Sequence, residues 1–390
     1  MVWDSLLARL LAGAAVAAAV LALDGLQRPH AAVPARAQMA AAQYQGKAVD
    51  AASLRRADQG DIPMPPGAAA AHASSLLVMP AASPQALTVF WFSGERESGP
   101  LVQIAASQLD RASQVWSEPR LVVNRHTVGA QLGYGIRRLG NPVAWLDAQG
   151  RIHLFVVATG WGGWAASRVL HLQQESPGQS LAELRFAPQR VLPLSWLFNT
   201  SFLVRNAPLP LADGGMVLPV YFELGVKFPA ALRFAADGRF LGMVRMSRLH
   251  HLLQPTLLAQ GPQQWVALLR DTRPDGRIAA VQTVDGGQHW SDLPDLPLQN
   301  PDAAVAALAL GPGQMVLAHN PQTQGRNRLE LSRSAEGLRW TRVETLALGL
   351  EPAEFSYPAL AWVDDSLWIT YTVDRRRLAW QRFAPARGLP

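Results

Sequence analysis

Histidine and carboxylate residues in this sequence could carry acid–base chemistry. An imidazole takes up and releases a proton near neutral pH, which makes His72 a candidate general acid or base. Glu97 is the candidate carboxylate partner, with Glu223 and Glu354 as reserves. If the fold brings these side chains together, they predict a hydrolase site. The alternative for His72 is an ordinary hydrogen-bonded histidine of the core or the surface.

The basic residues of the chain point to an anionic ligand. The 35 basic residues outnumber the 29 acidic ones, and lysine occurs only as Lys47 and Lys227. The arginines are scattered without a dense run, which argues against nucleic acid as a partner. A guanidinium fork grips a carboxylate in bidentate fashion, so a small anionic substrate or glycan fits better. Arg270 ends the apolar run Trp-Val-Ala-Leu-Leu and should face a negative group, although a salt-bridged surface arginine is its plain alternative.

Amide and indole side chains suit a sugar ligand. Gln254, Asn141 and Asn320 could hydrogen-bond to sugar hydroxyls, but asparagine before proline is also a common turn. The stretch from Gly160 to Trp164 places two indoles on a glycine-rich loop. These rings could stack against a sugar ring or simply fill one end of the fold.

Several other kinds of site are excluded by the sequence. The chain has no cysteine, so disulfides, thiolate metal sites and cysteine nucleophiles are absent. It contains no dinucleotide-binding glycine motif, no P-loop, no serine nucleophile elbow and no His-Glu-x-x-His zinc motif. His250 and His251 are adjacent, and in a strand their rings would point to opposite faces, which argues against a shared metal. We therefore expect no cofactor and no metal.

The elements that must position these residues are short strands. Runs rich in β-branched and aromatic residues recur, bounded by polar turns such as Asp147-Ala-Gln-Gly150. The runs lie at Leu87 to Phe92, Ile152 to Ala158, Met216 to Tyr221, Trp265 to Leu269, Met315 to His319 and Leu367 to Thr372. They recur about every 50 residues, so about 310 residues make about six repeats. Six four-stranded blades around an axis form the natural all-β architecture.

A local turn motif supports this architecture. The segment from Thr283 to Trp290 fits the Asp-box pattern Ser/Thr-x-Asp-x-Gly-x-x-Trp. In this motif the Asp accepts backbone N–H groups, a Gly adopts a backbone angle barred to other residues, and the Trp packs beneath the turn. Degenerate copies occur at Ser332 to Trp340 and after Ser107, so the motif repeats at blade-like separations.

Taken together, these features resemble bacterial sialidase-like proteins with BNR/Asp-box repeats. The resemblance covers nearly all of residues 72–383. Its carriers are His72-Ala-Ser, Trp91-Phe-Ser-Gly94-Glu-Arg-Glu97, Asn141-Pro-Val143, Gln254-Pro-Thr256, Arg270, the motif at 283–290, Asn300-Pro301, Asn320-Pro321, Arg326-Asn-Arg328 and Phe355-Ser-Tyr357-Pro358. The resemblance implies a six-bladed propeller with a polar site at one end of its axis. It implies glycan chemistry only indirectly, because a fold does not fix a function.

The resemblance also suggests roles for individual residues. An exo-sialidase uses an arginine cluster for the substrate carboxylate, a tyrosine nucleophile polarised by a glutamate, and an aspartate as acid and base, an exception to the two-carboxylate scheme. Tyr357 falls at the nucleophile position, and Arg270 falls at a cluster position. Arg328, with Arg326 as its near alternative, suits another cluster position, and Arg96 is a further substrate-binding candidate.

The sequence departs from that pattern at three positions. His72 stands near the first cluster arginine, and Gln254 stands near the glutamate that would activate Tyr357. Glutamine cannot act as a general base. After Arg96 the chain has Glu97-Ser-Gly-Pro, with no aspartate. These departures argue against sialic acid cleavage by the standard mechanism.

The N-terminus predicts export. The run from Ser5 to Leu23 is almost wholly apolar and long enough to cross a bilayer as a helix. We expect residues 1–24 to be a signal peptide or membrane anchor, residues 25–71 a flexible linker, and residues 72–384 the propeller. Small residues at Ala35 and Ala37 offer a cleavage pattern.

Two functional hypotheses follow from the sequence. The first is a periplasmic glycoside hydrolase, anchored in the inner membrane if the segment is retained, that acts on an acidic or decorated glycan. The second is a propeller that binds carbohydrate at the cell envelope without catalysis. A scaffold for protein partners is a third, supported only by the common use of propellers in that role.

Overall fold

The strands form six antiparallel sheets arranged as the blades of a propeller. The computed structural model describes residues 2–27, 41–42, 49–97, 99, 101–160, 162–176, 180–195, 198–274 and 276–386. Helix α1 (Val2–Gln27) precedes the propeller, and α2 (Arg125–Leu132) joins the first two blades. Among the described helices, only α1 is long and apolar enough to cross a membrane, over Ser5–Leu23.

Each blade is numbered by its place in the chain. The strands, taken in chain order, have the following bounds. The first strand is β1 (Leu54–Asp61), which belongs to the last blade. Blade 1 contains β2 (Ala70–Val78), β3 (Gln85–Gly94), β4 (Gln103–Asp110) and β5 (Arg120–Val123). Blade 2 contains β6 (Arg138–Leu146), β7 (Ile152–Thr159), β8 (Ser167–Gln174) and β9 (Phe186–Val191). Blade 3 contains β10 (Phe202–Val204), β11 (Leu209–Pro210), β12 (Met216–Phe222), β13 (Phe228–Phe234) and β14 (Phe240–Arg245). Blade 4 contains β15 (Leu252–Ala259), β16 (Trp265–Asp271), β17 (Ala279–Thr283) and β18 (Ser291–Asp292). Blade 5 contains β19 (Ala306–Gly311), β20 (Gln314–His319), β21 (Arg328–Ser334) and β22 (Thr341–Leu348). Blade 6 contains β23 (Phe355–Val363), β24 (Ser366–Val373), β25 (Arg377–Pro385) and β1.

The two ends of the propeller chain meet in blade 6. Strand β1 pairs with β25 in antiparallel register from Leu54 opposite Pro385 to Asp61 opposite Ala379. This pairing corrects the expectation that all of residues 25–71 form a flexible linker, because residues 54–61 are a strand of the fold. The pairing closes the ring of blades with a segment from each end of the chain, so strand pairing rather than composition decides the structure of this segment.

The hydrophobic core lies between neighbouring blades rather than at the axis. Each of six clusters of buried apolar side chains draws mainly on two adjacent blades. Leu87, Val89 and Trp91 of β3, for example, pack with Trp368 and Trp380 of blade 6. The alternation of side chains along each strand lets one blade face both neighbours, which explains why the sequence shows short apolar runs without a long helical period.

The same bulge recurs at the start of four inner strands and sets the position of the site. Where β6, β15 and β23 each carry an X-Pro pair, the register shifts by one residue, and β2 shifts likewise without a proline. The residues at these bulges have left-handed backbone angles: Ala73 (φ 55), Asn141 (φ 37), Gln254 (φ 51) and Tyr357 (φ 53). Such angles are costly for residues other than glycine and cluster at functional sites. Proline is tolerated here because bulged inner strands lack a ladder partner on the axial side.

The two ends of the axis differ in the kind of turn they carry. Because the strands alternate in direction, the turns between first and second strands and between third and fourth strands share one end, which we name the turn face. The bulges lie near the start of the first strands and therefore at the opposite end, which we name the pocket face.

The Asp-box motif forms one of the turns on the turn face. Thr283 Oγ1 accepts a hydrogen bond from the Gly287 N–H (2.9 Å), and Asp285 Oδ1 accepts one from the His289 N–H (2.9 Å). Trp290 Nε1 donates to the Gly287 carbonyl (3.0 Å), and the indole packs on the core beneath the turn. The motif therefore has the structural role that the sequence predicts.

A degenerate copy of the motif uses the same contacts with different residues. Trp340 Nε1 donates to the Gly337 carbonyl (3.0 Å), and Ser334 Oγ accepts from the Gly337 N–H (2.8 Å). Glu336 takes the place of the aspartate by accepting from the Arg339 N–H (2.9 Å). The hydroxyl comes from Ser334 rather than Ser332, so it lies three residues before the glycine, whereas Thr283 lies four residues before Gly287.

Replacing Asp285 with alanine is expected to destabilise the propeller by on the order of 1 kcal/mol or less, because the carboxylate is partly exposed and water screens its contacts. Although burial raises the pKa of Asp285, hydrogen bonds from His289 and Thr283 lower it to about 2. The stabilisation should thus be present at neutral pH and decline as the pH falls from about 4 towards 2. Denaturant unfolding of Asp285→Ala at pH 7 and pH 3 measures it. The exposed Glu175→Ala variant is the control, and an equal loss in both variants would contradict the prediction.

Candidate functional site

All six blades contribute to a polar pocket of about 240 Å³ on the pocket face. The lining residues are His72, Phe92 and Glu97 of blade 1, Asn141 and Trp164 of blade 2, Leu203, Tyr221 and Glu223 of blade 3, Gln254 and Arg270 of blade 4, Arg326 of blade 5, and Tyr357 and Arg375 of blade 6. Pockets for drug-sized ligands start at about 300 Å³, so this one has the size for a single sugar ring.

The Gln254 amide joins two tyrosines to an arginine at the base of the pocket. Its Oε1 accepts from Arg270 Nη1 (3.3 Å), while its Nε2 donates to the hydroxyls of Tyr357 (3.2 Å) and Tyr221 (3.3 Å). Arginine has only donors, so the amide oxygen must face Arg270 and the amide NH₂ must face the tyrosines. Gln254 therefore donates to Tyr357 and cannot accept the phenolic proton.

Three pocket arginines are hydrogen-bonded to acidic side chains. Arg270 Nε donates to Asp302 Oδ1 (2.5 Å), and Arg326 Nη1 donates to Glu354 Oε1 (3.2 Å). Arg375 bridges two carboxylates, with Nη1 to Glu97 Oε2 at 2.7 Å and Nε to Glu354 Oε2 at 2.9 Å. Burial opposes the charge of Arg270, but its bond to Asp302 outweighs this and raises the pKa of the guanidinium. The arginines are thus fixed cations with restricted rotamers.

A fourth arginine, Arg205, lies beneath the pocket. Arg205 is 2% exposed, and its two terminal nitrogens donate to the Ser74 carbonyl (3.1 Å) and the Pro358 carbonyl (2.8 Å). Its guanidinium lies 4.9 Å from the ring centroid of Tyr357. Among the residues that the structure describes, no carboxylate pairs with it, and burial lowers its pKa to about 10. A buried cation without a counter-charge favours an anion in the space above it.

His72 lies against Tyr357 in the wall of the pocket. The two ring centroids are 4.1 Å apart, and His72 Nε2 is 4.0 Å from Glu97 Oε1. Burial, with further contributions from Arg375, Arg205 and Arg326, holds the pKa of His72 well below its usual value. The imidazole is therefore neutral at physiological pH. Its Nδ1 is buried and has no hydrogen-bond partner within the described part of the chain.

Glu223 differs from the other carboxylates of the pocket. No hydrogen bond or ion pair to its carboxylate is found within the described ranges, whereas Glu97 is paired with Arg375. Burial raises the pKa of Glu223, and the nearby cations Arg270 and Lys227 offset this only in part. The pocket thus contains one carboxylate that is ion-paired with an arginine and one, Glu223, whose pKa is raised by burial. A buried carboxyl with a raised pKa is suited to act as a general acid.

Seven of the ten candidate site residues lie at the pocket: His72, Glu97, Asn141, Gln254, Arg270, Arg326 and Tyr357. The other three lie outside it. Arg328 opens β21 and pairs with Glu330, so the pocket position belongs to Arg326, its near alternative. Asn320 donates to the carbonyls of Arg328 (2.7 Å) and Phe355 (2.9 Å) and thereby fixes a loop. Arg96 lines a separate small cavity with Gly99 and Leu101.

Several pocket residues were not among the candidates from the sequence. The signal that selects Arg270, an arginine ending an apolar run, also applies to Arg205 after Ser-Phe-Leu-Val. Arg375 lies in the turn Asp-Arg-Arg-Arg, which has the composition of a solvated hairpin. Tyr221 carries no local signal, because its strand is apolar throughout. Among the described residues, no group of three or more His, Asp or Glu side chains could hold a metal ion.

Comparisons with known proteins identify the family of the chain and proteins of similar fold. The model of the BNR repeat-like domain family matches residues 85–369. Similar solved structures include a Hadza microbial sialidase (TM-score 0.65, 15% identity, 82% of this chain and 66% of that one). A protein of unknown function from Dyadobacter fermentans gives a TM-score of 0.64 at 12% identity, covering 85% of this chain and 99% of that one. A Trypanosoma rangeli sialidase in complex with the inhibitor DANA gives a TM-score of 0.63 at 13% identity, covering 84% of this chain and 58% of that one. No curated protein matches the sequence. At these identities the structural likeness establishes the six-bladed fold, and this chain is shorter than either sialidase.

Proposed function

The chain belongs to the BNR repeat-like domain family, and on that premise we propose that it is an exported glycoside hydrolase acting on the anionic terminal sugar of a glycan. The observation that carries the proposal is the buried Arg205, a cation that pairs with no carboxylate of the described residues, beneath a pocket with three further arginines. An anionic substituent of the sugar supplies the missing negative charge. The pocket volume of about 240 Å³ admits one ring, so the enzyme acts at the end of a chain.

The proposed reaction uses Tyr357 as the nucleophile. Its oxygen attacks the anomeric carbon, its proton passes to the neutral His72, and Glu223 donates a proton to the departing glycosidic oxygen. Water, deprotonated by Glu223, then attacks the glycosyl-tyrosine intermediate, and Tyr357 recovers its proton from His72. The sugar is released with retained configuration, because two displacements occur at the same carbon. A neutral nucleophile suits an anionic sugar, which would repel a carboxylate.

Gln254 favours a second candidate function. Since its amide donates to Tyr357, the tyrosine lacks the carboxylate activator of the sialidase mechanism. In this alternative the propeller binds the anionic end of a glycan at the cell envelope and does not cleave it. The arginines, Asn141 and Gln254 would then act only as recognition groups.

Export rests on the apolar helix. The segment Ser5–Leu23 has a mean hydropathy of 2.3 and lies near the N-terminus, as a signal sequence or anchor would. We propose that residues 1–24 direct the propeller to the periplasm, held at the inner membrane where the segment is retained. The residues between the apolar helix and β1 would then link the anchor to the propeller, which they already contact at Ala42 through a bridge to Leu211 of blade 3.

A panel of glycans tests both functions. Full-length protein in detergent is incubated with aryl glycosides and oligosaccharides that end in sialic acid, in galacturonic acid or in a neutral hexose. We expect release of the anionic sugar, and we expect esterification of its carboxylate to lower kcat/KM about 10- to 100-fold, the value of a charged hydrogen bond. Binding by calorimetry without turnover supports the non-catalytic alternative. Equal activity towards the ester and the acid would contradict the role of the arginines.

A further inference from the structure

A second cleft opens beside the pocket on the pocket face. It has a volume of about 480 Å³ and is lined by Tyr134, Gly160, Ala166, Arg168, Phe198 and Thr200, together with Gly135. Arg168 is the second residue of β8, and the others come from the connection between blades 1 and 2, the loop between β7 and β8, and the connection between blades 2 and 3. All three connecting segments lie at the pocket face, so the cleft and the pocket open on the same side of the propeller.

One short helical turn separates the cleft from the pocket. This 3₁₀ turn spans Gly163–Ala166, and Trp164 lines the pocket whereas Ala166 lines the cleft. The 3₁₀ helix rises about 2.0 Å per residue, so these two residues are about 4 Å apart along it. Trp164 packs closely over Gly140, where an added Cβ would lie 2.7 Å from the indole. The helical turn therefore forms a thin wall between pocket and cleft, and the packing of Trp164 on Gly140 holds this wall in place.

The side chains of the cleft are fixed by their own contacts. The Arg168 guanidinium stacks over the Tyr134 ring, 4.5 Å from its centroid, and its Nη2 donates to the Phe198 carbonyl (3.0 Å). Tyr134 itself follows Gly133, which ends α2 in the left-handed conformation (φ 61). These contacts link three separate segments of the chain, so the cleft has one defined shape.

The loop that carries Phe198 adopts a costly backbone conformation. Phe198 and Asn199 both have left-handed angles, with φ of 53 and 43. The Asn199 side chain holds the loop, because its oxygen accepts from the Leu194 N–H (2.9 Å) and its nitrogen donates to the Leu192 carbonyl (2.9 Å). The result is a phenylalanine with 39% of its surface exposed. Strain that presents an apolar ring to solvent is typical of a binding surface.

We propose that this cleft is a subsite for the sugar that follows the terminal one, so that the protein recognises at least two consecutive rings of an oligosaccharide. The inference rests on the proposed function, in which the pocket takes the terminal sugar. Sugar rings combine an apolar face with hydroxyls at the edge. Phe198 and Tyr134 offer apolar and aromatic surface, and Arg168 and Thr200 offer polar groups at its margin. A glycan leaving the pocket over the Trp164 wall reaches this cleft with its next ring.

Kinetics with substrates of two lengths test the subsite. The probes are an aryl sialoside against sialyllactose, and an aryl galacturonide against digalacturonate. In Arg168→Ala and Phe198→Ala, we expect kcat/KM for the longer substrate to fall about 10- to 100-fold, the loss of one or two contacts of 1.4 kcal/mol each. For the aryl glycoside we expect a change of less than about twofold. The exposed Arg190→Ala of the same blade is the matched control.

Three kinetic outcomes overturn the subsite. An equal fall for both substrate lengths means that the variants disturb the pocket, and no fall for either means that the cleft does not touch substrate. A fall in Arg190→Ala of the same size means that overall charge is the cause. If the wild-type protein cleaves none of the probes, that result contradicts the proposed hydrolysis but not the subsite. Calorimetry with galacturonic acid and digalacturonate then tests the subsite. A gain in affinity from the second ring that disappears in Arg168→Ala then supports it, and the absence of any gain overturns it.

Discussion

Replacing Tyr357 with phenylalanine is expected to lower kcat by about 10³-fold or more while binding of the glycan is largely kept. The substitution removes the attacking oxygen and leaves the ring that packs on His72 and over Arg205. Because the lost oxygen reacts only in the transition state, kcat should fall and KM should change little. Release of the terminal sugar from the substrate found in the panel measures the effect, and calorimetry checks that the variant still binds.

Tyr221→Phe is the matched control for this substitution. Its hydroxyl also accepts from Gln254 Nε2, at 3.3 Å, and it lies in the same pocket. If Tyr357 is the nucleophile, a trapping reagent such as a fluorinated glycoside should label Tyr357 in the wild type and nothing in Tyr357→Phe. Equal losses in the two phenylalanine variants would mean that the hydroxyls act by hydrogen bonding alone and would contradict the nucleophile role.

The inner strands show why much of the pocket could be predicted from the sequence. Asn141, Gln254 and Tyr357 all precede a proline at the start of an apolar run, and each lies at a one-residue bulge with a left-handed backbone angle. Within a strand, proline is confined to edge strands, first residues and bulges, so the proline in each of these runs marks an irregular position. The blade repeat then brings these bulges together at one end of the axis.

Arg205 and Arg375 are harder to predict because their roles depend on partners that are distant in sequence. Arg375 lies in a hairpin turn of blade 6 and reaches Glu97 of blade 1, which is 278 positions away. Arg205 serves the site through the carbonyls of Ser74 and Pro358, which belong to other blades. Local composition does not distinguish Arg375 from a solvated arginine, whereas Arg205 shares with Arg270 the signal of an arginine that ends an apolar run. The assignment of residues 54–61 to a linker failed for the same reason, because the partner strand lies at the other end of the chain.

Substitution of Glu223 by glutamine is expected to lower kcat/KM by about 10²- to 10⁴-fold for a natural glycosidic bond, the usual contribution of a general acid. An aryl glycoside with a good leaving group needs less help from an acid, so its loss should be much smaller. The unequal effect separates an acid role from a binding role, since lost binding would affect both substrates alike.

The pH dependence gives an independent measure of the same role. Burial raises the pKa of Glu223, Asp302 adds to this, and Arg270 and Lys227 oppose it. The proton needed in the first step is present below that pKa, so activity should fall as the pH rises through it. In Glu223→Gln this alkaline decline should vanish, because the amide does not titrate. Glu97→Gln is the matched control, since Glu97 pairs with Arg375 at 2.7 Å and should leave the alkaline decline in place. If the decline persists in Glu223→Gln and vanishes in Glu97→Gln, the acid is Glu97, and the pairing with Arg375 must open when substrate binds.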